Sequence, residues 1–167
     1  MKVLLQRVTR ASVTVDGRRV GEIARGLLLF VGVEKGDSEG EARALAEKVS
    51  RLRVFADAGG KLNLDVHEAQ GAILVVSQFT LVGSTSKGRR PSFDAAASPE
   101  SARALVDLLA EELRRQGLRV EAGIFGADMS VELVNDGPLT FLVEMPPARP
   151  SPAFLKGGAG EVPSTET

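Results

Sequence analysis

The chain has 167 residues, a hydrophobic fraction of 43% and a formal net charge of −1. This length fits one domain with a real core, and the small charge argues against wrapping nucleic acid through many phosphate contacts. There is no cysteine and a single histidine, His67, in a loop-like stretch, which excludes a disulfide framework, a thiolate nucleophile and a cysteine-ligated zinc. We therefore expect no metal and no cofactor.

The apolar segments are too short to enter a membrane as helices. The longest, LLLFVGV at 27–33, falls well below the roughly 18 residues that a candidate span needs. At the amino end, Gln6 and Arg7 interrupt the apolar residues, so no signal-peptide core is visible. We expect a cytoplasmic protein that does not bind membranes.

The first half of the chain alternates short strands with one helix. Strands are predicted at 3–8 and 11–15, and Asp16-Gly17 favours a hairpin turn into the next strand. The continuous apolar run at 26–34 predicts a strand buried on both faces. From Ser38 onward, apolar residues recur at helical spacing and predict an amphipathic helix. These residues are Ala42, Leu45, Ala46, Val49 and Leu52.

The second half continues with strands at 53–57, 61–65 and 72–81 and a second helix. Ser98 is a candidate N-cap, Pro99 suits the first helical position, and Gly117 lies just past the end. Segment 118–145 predicts at least two strands joined at NDGP, 135–138. The expected fold class is α+β, with an antiparallel-rich sheet or open barrel covered by two helices.

The chain divides into a domain at 1–145 and a tail at 146–167. The tail is rich in proline, glycine and serine and holds five of the eight prolines. Because it offers little to bury, we predict that it is disordered.

The most informative stretch is 72–93, where an apolar strand turns polar at Ser77, Gln78 and Thr80. Such residues are common where a strand enters solvent, but hydroxyls and free backbone N–H groups can also form an oxyanion site. A loop follows with three basic residues, which suit either solvent or a phosphate. These residues are Lys87, Arg89 and Arg90. Both interpretations are open on local sequence alone.

Four segments in order resemble the signatures of the D-aminoacyl-tRNA deacylases. They are SQFTL at 77–81, RPSF at 90–93, FGADM at 125–129 and NDGPLT at 135–140. The segments LLQRV at 4–8 and GLLLFVGV at 26–33 fit as well, so the resemblance covers 1–145.

The resemblance implies a homodimeric esterase of translation proofreading that removes D-amino acids, or glycine, from tRNA and rejects L-aminoacyl-tRNA. It places the ester carbonyl among Ser77, Gln78, Phe79 and Thr80. Such enzymes hydrolyse the ester that joins the amino acid to the 3′-terminal adenosine.

The resemblance also assigns residues for chiral selection and for adenosine binding. Gly137-Pro138 corresponds to a Gly-cisPro motif that enters the partner's site, and Arg7 holds this segment. The adenosine-binding residues would be Phe125, Met129 and Thr140. Two positions depart from the family pattern, since Leu139 replaces a valine and Arg89 replaces an asparagine.

The residue inventory favours catalysis by positioning. An aminoacyl ester is already activated, and the neighbouring ribose 2′-hydroxyl can supply the reacting group or orient water. A nucleophilic Thr80 is the rival mechanism, but no adjacent base is evident in the sequence. Two other functions compete: a non-catalytic module that holds an RNA 3′ end, and an editing enzyme for a mischarged L-amino acid.

Overall fold

The computed structural model describes residues 1–86 and 88–145. Lys87 and the predicted tail at 146–167 lie outside the described residues. The helices are α1 (Glu39–Ser50), α2 (Pro99–Arg115) and a short 3₁₀ helix (Phe79–Val82). The strands are β1 (Lys2–Val15), β2 (Arg18–Ile23), β3 (Gly26–Gly32), β4 (Phe55–Ala56), β5 (Leu62–Leu64), β6 (Ala72–Ser77), β7 (Val120–Ala122) and β8 (Ser130–Glu144).

The main sheet is built around the long strand β1. Its first half pairs with β3, its second half pairs with β2, and β8 pairs along both halves, all antiparallel. The order continues from β3 through β6 to β7 with parallel pairs. At Gly21 of β2, a Cβ would lie 2.9 Å from the carbonyl oxygen of Ala122 in β7. The sheet therefore curves towards closure, which confirms the predicted antiparallel-rich open barrel.

Strand β3 separates two layers of the core, as its continuous apolar run predicts. Leu27 and Leu29 pack with both helices, whereas Leu28 packs with Ile23 and Leu74 inside the curved sheet. Because both faces are apolar, burial of β3 fixes its register against its neighbours. Among the described residues, no helix has the length and apolar character that would let it cross a membrane.

Local signals position the turns and helix ends. The β1–β2 turn places Asp16 at φ 48° and Gly17 at φ 74°, as a two-residue hairpin with positive φ at both positions requires. Ser38 caps α1 in a capping box, and the Ser98 hydroxyl accepts a bond from Ser101 N (3.3 Å) at the start of α2. Gly117, at φ 84°, follows α2. These predictions are confirmed, although Leu52 lies beyond the end of α1.

The predicted strand at 72–81 is wrong in its second half. β6 ends at Ser77, and the chain turns into the 3₁₀ helix, in which Leu81 N donates to Gln78 O (3.1 Å). Hence Phe79 and Thr80 do not alternate across a strand. The turn packs closely on β3, since a Cβ at Gly32 would lie 2.9 Å from Val82 Cγ1.

The predicted turn between two strands at NDGP is also wrong. Residues 135–138 lie within the single strand β8, at an irregularity in its pairing with β1. The Asn135 side chain accepts from Leu139 N (2.9 Å) and donates to Leu139 O (3.1 Å). This amide replaces missing ladder partners and lets the strand bulge without reversing.

Candidate functional site

A cavity of about 450 Å³ opens where the end of β6, the start of α2 and the loop after β7 meet. Ser77, Gln78 and Phe79 form one part of its lining. Ala102 and Val106 of α2 form another part. The lining is mostly apolar with a few polar side chains, which is typical of a small-molecule site.

Free backbone donors lie at Phe79, which lines the cavity, and at the next residue, Thr80, which is not part of the lining. Gln78 N donates to Val31 O (2.8 Å) as the last rung between β6 and β3, and the 3₁₀ bonds begin only at Leu81 N. The N–H groups of Phe79 and Thr80 thus have no acceptor among the described residues. Unpaired donors at the start of a helical turn are available to a ligand oxygen.

Among the residues that the structure describes, no base is hydrogen-bonded to the Thr80 hydroxyl. Its oxygen accepts a hydrogen bond from Gln78 Nε2, and an amide cannot take up a proton. His67 is exposed in a separate turn, where its backbone N donates to Asp65 Oδ1 (2.9 Å). Asp128 is the one ionisable residue in the described cavity lining, and sequence reasoning did not single it out.

The loop after β7 brings Phe125 and Met129 to the cavity lining. Their role in adenosine binding stays a prediction from the resemblance. The Arg103 guanidinium lies 4.8 Å from the centre of the Phe125 ring, and its Nη2 donates to Phe125 O (3.4 Å). Met129 packs on Gly123, where a Cβ would lie 2.5 Å from Sδ. Through Arg103, helix α2 therefore holds the Phe125 ring in place.

The segment Gly137-Pro138 is exposed, contains a cis peptide bond and does not line this cavity. Arg7 holds the preceding residue through its Nε, which lies 3.2 Å from Asp136 O and 3.1 Å from Asp136 Oδ2. Nη1 of Arg7 donates to Val54 O (2.6 Å). Thr140 is likewise not part of the cavity lining, and its hydroxyl accepts from Gln6 Nε2 (3.1 Å).

The basic loop is a small hairpin beside the cavity. Ser84 and Ser92 exchange two backbone bonds of 2.8 and 2.9 Å, and Arg89 and Arg90 are exposed near the tip. The loop ends at Phe93, whose ring packs on Phe79 with 4.9 Å between centroids. Sequence reasoning missed Phe93, since an aromatic residue alone favours the core.

These features place unpaired backbone donors and the Phe125 side chain around one cavity. The described residues bring together no group of three His, Cys, Asp or Glu side chains that could hold a metal. Within residues 1–86 and 88–145, the site pairs no nucleophile with a base.

Comparison with known proteins identifies the family. The family model described as D-Tyr-tRNA(Tyr) deacylase matches residues 4–144. The D-aminoacyl-tRNA deacylase of Geobacter metallireducens is 55% identical over 148 residues, which cover 89% of this chain and 98% of the relative. That of Anaeromyxobacter dehalogenans is 55% identical over 144 residues, covering 86% and 97%. The chain therefore belongs to the D-aminoacyl-tRNA deacylase family of ester hydrolases, which confirms the resemblance.

Two solved structures share the fold of this chain. The c-Myc DNA unwinding element binding protein has a TM-score of 0.82 and 41% identity, covering 87% of this chain and 99% of its own. A probable eukaryotic D-amino acid tRNA deacylase has a TM-score of 0.75, covering 86% and 98%. At 18% identity, the second likeness shows the fold alone.

Proposed function

We propose that the cavity binds the 3′-terminal adenosine of a D-aminoacyl-tRNA and that the protein hydrolyses its ester bond. The N–H groups of Phe79 and Thr80 face the carbonyl oxygen and stabilise the negative charge that develops on it. Ser77 and Gln78 complete this side of the site. The observation that carries the proposal is the pair of unpartnered backbone donors beside an apolar cavity.

The reacting group comes from the substrate. With Gln78 as the hydrogen-bond partner of Thr80, no described side chain at the threonine can remove a proton from its hydroxyl. The ribose 2′-hydroxyl adjoins the ester and orients water or attacks directly once the ester is held. The protein contributes orientation and charge stabilisation, and it needs no cofactor.

A second copy of the chain completes the site. Strand β8 pairs with β1 on one side, and no described strand pairs with its other side. It exposes 47% of Phe141 and 53% of Leu142, an apolar edge that favours association. Because Gly137-Pro138 is exposed on the same strand and outside its own cavity, we place it in the cavity of a partner subunit in a homodimer.

Chiral selection follows from exclusion. D- and L-aminoacyl esters contain the same atoms, so contacts with the amino-acid side chain offer no general way to distinguish the two enantiomers. A rigid Gly137-Pro138 wall, held through Arg7, collides with the L-substituent and needs no contact with the D side chain. Glycine has no side chain to collide and is accepted.

The rest of the tRNA makes few contacts. Arg89 and Arg90, with Lys87 beside them in sequence, approach phosphates near the 3′ end. Thr140, which lies with the Gly137-Pro138 segment, approaches the substrate from the partner subunit.

Residues 1–145 form the deacylase domain, and the tail at 146–167 lies outside it. The enzyme works in the cytoplasm on charged tRNA.

Phe125→Ala tests the adenosine site. We expect binding of uncharged tRNA to weaken by about 1–3 kcal/mol, because one base loses its aromatic stacking partner. Filter binding or fluorescence anisotropy measures the change, with Phe30→Ala, at a half-buried strand position away from the cavity lining, as the matched control. If a folded Phe125→Ala protein binds tRNA with unchanged affinity, adenine does not stack on Phe125.

Release of free amino acid from charged tRNA separates the proposed enzyme from a non-catalytic module. The assay uses catalytic amounts of protein and follows acid-precipitable label with time. Multiple turnovers support the proposal, whereas stoichiometric protection of the ester contradicts it.

A further inference from the structure

Two aromatic side chains are exposed together at the rim of the cavity. Phe79 is 59% exposed and Phe93 is 37% exposed, and their ring planes are tilted by 50°. The chain has only seven phenylalanines and no tryptophan or tyrosine, so an exposed pair is a notable use of its aromatic residues. Exposed apolar surface of this kind marks an interaction site.

The surrounding backbone fixes the position of the Phe93 ring. A Cβ at Gly83 would lie 2.8 Å from Phe93 Cε1, so the ring rests directly on a glycine. The two bonds between Ser84 and Ser92 close the hairpin, and Ser92 Oγ donates to Asp94 Oδ2 (2.8 Å). The ring pair is therefore presented in one arrangement before any ligand arrives.

The charge beside the ring pair favours a nucleic acid over another protein surface. Arg89 and Arg90 are exposed on the same hairpin, and neither has a carboxylate partner among the described residues. Aromatic rings next to free cations are the combination that binds single-stranded nucleic acid, because bases stack while the backbone is neutralised. Asp94 is the acidic residue nearest in sequence, and Ser92 already occupies one of its oxygens.

We infer that Phe79 and Phe93 form a stacking platform for the base of the penultimate nucleotide of the tRNA. This inference rests on the proposed function, in which the cavity takes the terminal adenosine. Phe79 contributes to the cavity lining and Phe93 lies outside it, so the two rings lead from the cavity to the surface. We place the nucleotide that precedes the adenosine on this rim.

The test compares three D-tyrosyl esters: adenosine, the dinucleotide cytidylyl-adenosine, and the same dinucleotide with an abasic first position. For the wild-type protein, kcat/KM should be about 5- to 150-fold higher with the cytosine base than with the abasic site. Phe93→Leu should lose this advantage and retain the wild-type rate on the adenosine ester. Phe93→Trp should restore it, and Leu62→Ala, another exposed apolar position, should keep it.

The following results would contradict the stacking platform or the proposed function. If Phe93→Leu slows the adenosine ester as much as the dinucleotide, or retains the cytosine advantage, the platform is overturned. If Phe93→Leu dissociates a dimer in light scattering, the ring pair belongs to a subunit contact and the inference fails. If the wild-type protein hydrolyses none of the esters, nor D-tyrosyl-tRNA, the proposed function itself fails.

Discussion

Replacing the ribose 2′-hydroxyl of the terminal adenosine with hydrogen is expected to slow hydrolysis by about 10²–10⁴-fold, the contribution of a positioned proton-transfer group. Thr80→Ala is expected to remain within about 10-fold of the wild-type rate, because the backbone N–H survives the substitution. Single-turnover assays on D-tyrosyl-tRNA with either terminal ribose measure both effects.

The matched control for this pair is Thr9→Ala, at an exposed threonine on β1. It should behave as wild type with both ribose forms. An acyl ester trapped on Thr80 and detected by mass spectrometry would contradict substrate-assisted catalysis. So would a large loss in Thr80→Ala together with a normal rate on the deoxyribose substrate.

Arg7→Ala is expected to relax chiral selection. The guanidinium joins Asp136 to Val54 O and is only 12% exposed, so removing it frees the Gly137-Pro138 segment. Charged hydrogen bonds of this kind contribute about 1.5–3 kcal/mol each. We expect the ratio of D to L deacylation rates to fall by about 10-fold or more, chiefly through faster L-tyrosyl-tRNA hydrolysis.

Arg10→Ala is the control for this effect, because Arg10 lies exposed on the same strand with no ion pair among the described residues. It should keep the wild-type D-to-L ratio. If Arg7→Ala loses D and L activity equally and remains dimeric and folded, the segment does not act as the chiral wall.

Local chemistry made much of the fold predictable. The hydroxyl of Ser98, the fixed φ of Pro99 and the positive φ of Gly117 act within one turn of a helix end. The continuous apolar run of β3 likewise predicts by itself that this strand is buried on both faces. For these elements, neighbours in sequence are sufficient to determine the structure.

The errors occurred where distant contacts decide the backbone. Residues 79–82 have strand-like apolar character, but they form a 3₁₀ turn in which Val82 packs on Gly32 of another strand. NDGP has the composition of a turn, but Asn135 bridges to Leu139 within a strand paired with β1. Local patterns contain neither contact.

The candidate site, too, could be predicted only in part from local sequence. Hydroxyls and amides at Ser77, Gln78 and Thr80 could be singled out from sequence, yet local sequence left solvent and ligand equally open. The role of α2 in the cavity depends on a contact across the fold, since nothing in the sequence around Ala102 and Val106 indicates that they line a site. The family resemblance predicted Phe125 as a site residue. The contact of Arg103 with the Phe125 ring is visible only in the structure.

The most direct test of the account is deacylation of matched D- and L-tyrosyl-tRNA by the full chain. The same tRNA, charged with either enantiomer, is incubated with catalytic protein, and release of free tyrosine is followed with time. Rapid release of D-tyrosine with L-tyrosyl-tRNA left intact is the predicted result. Equal hydrolysis of both enantiomers, or faster release of L-tyrosine, would contradict chiral proofreading by exclusion.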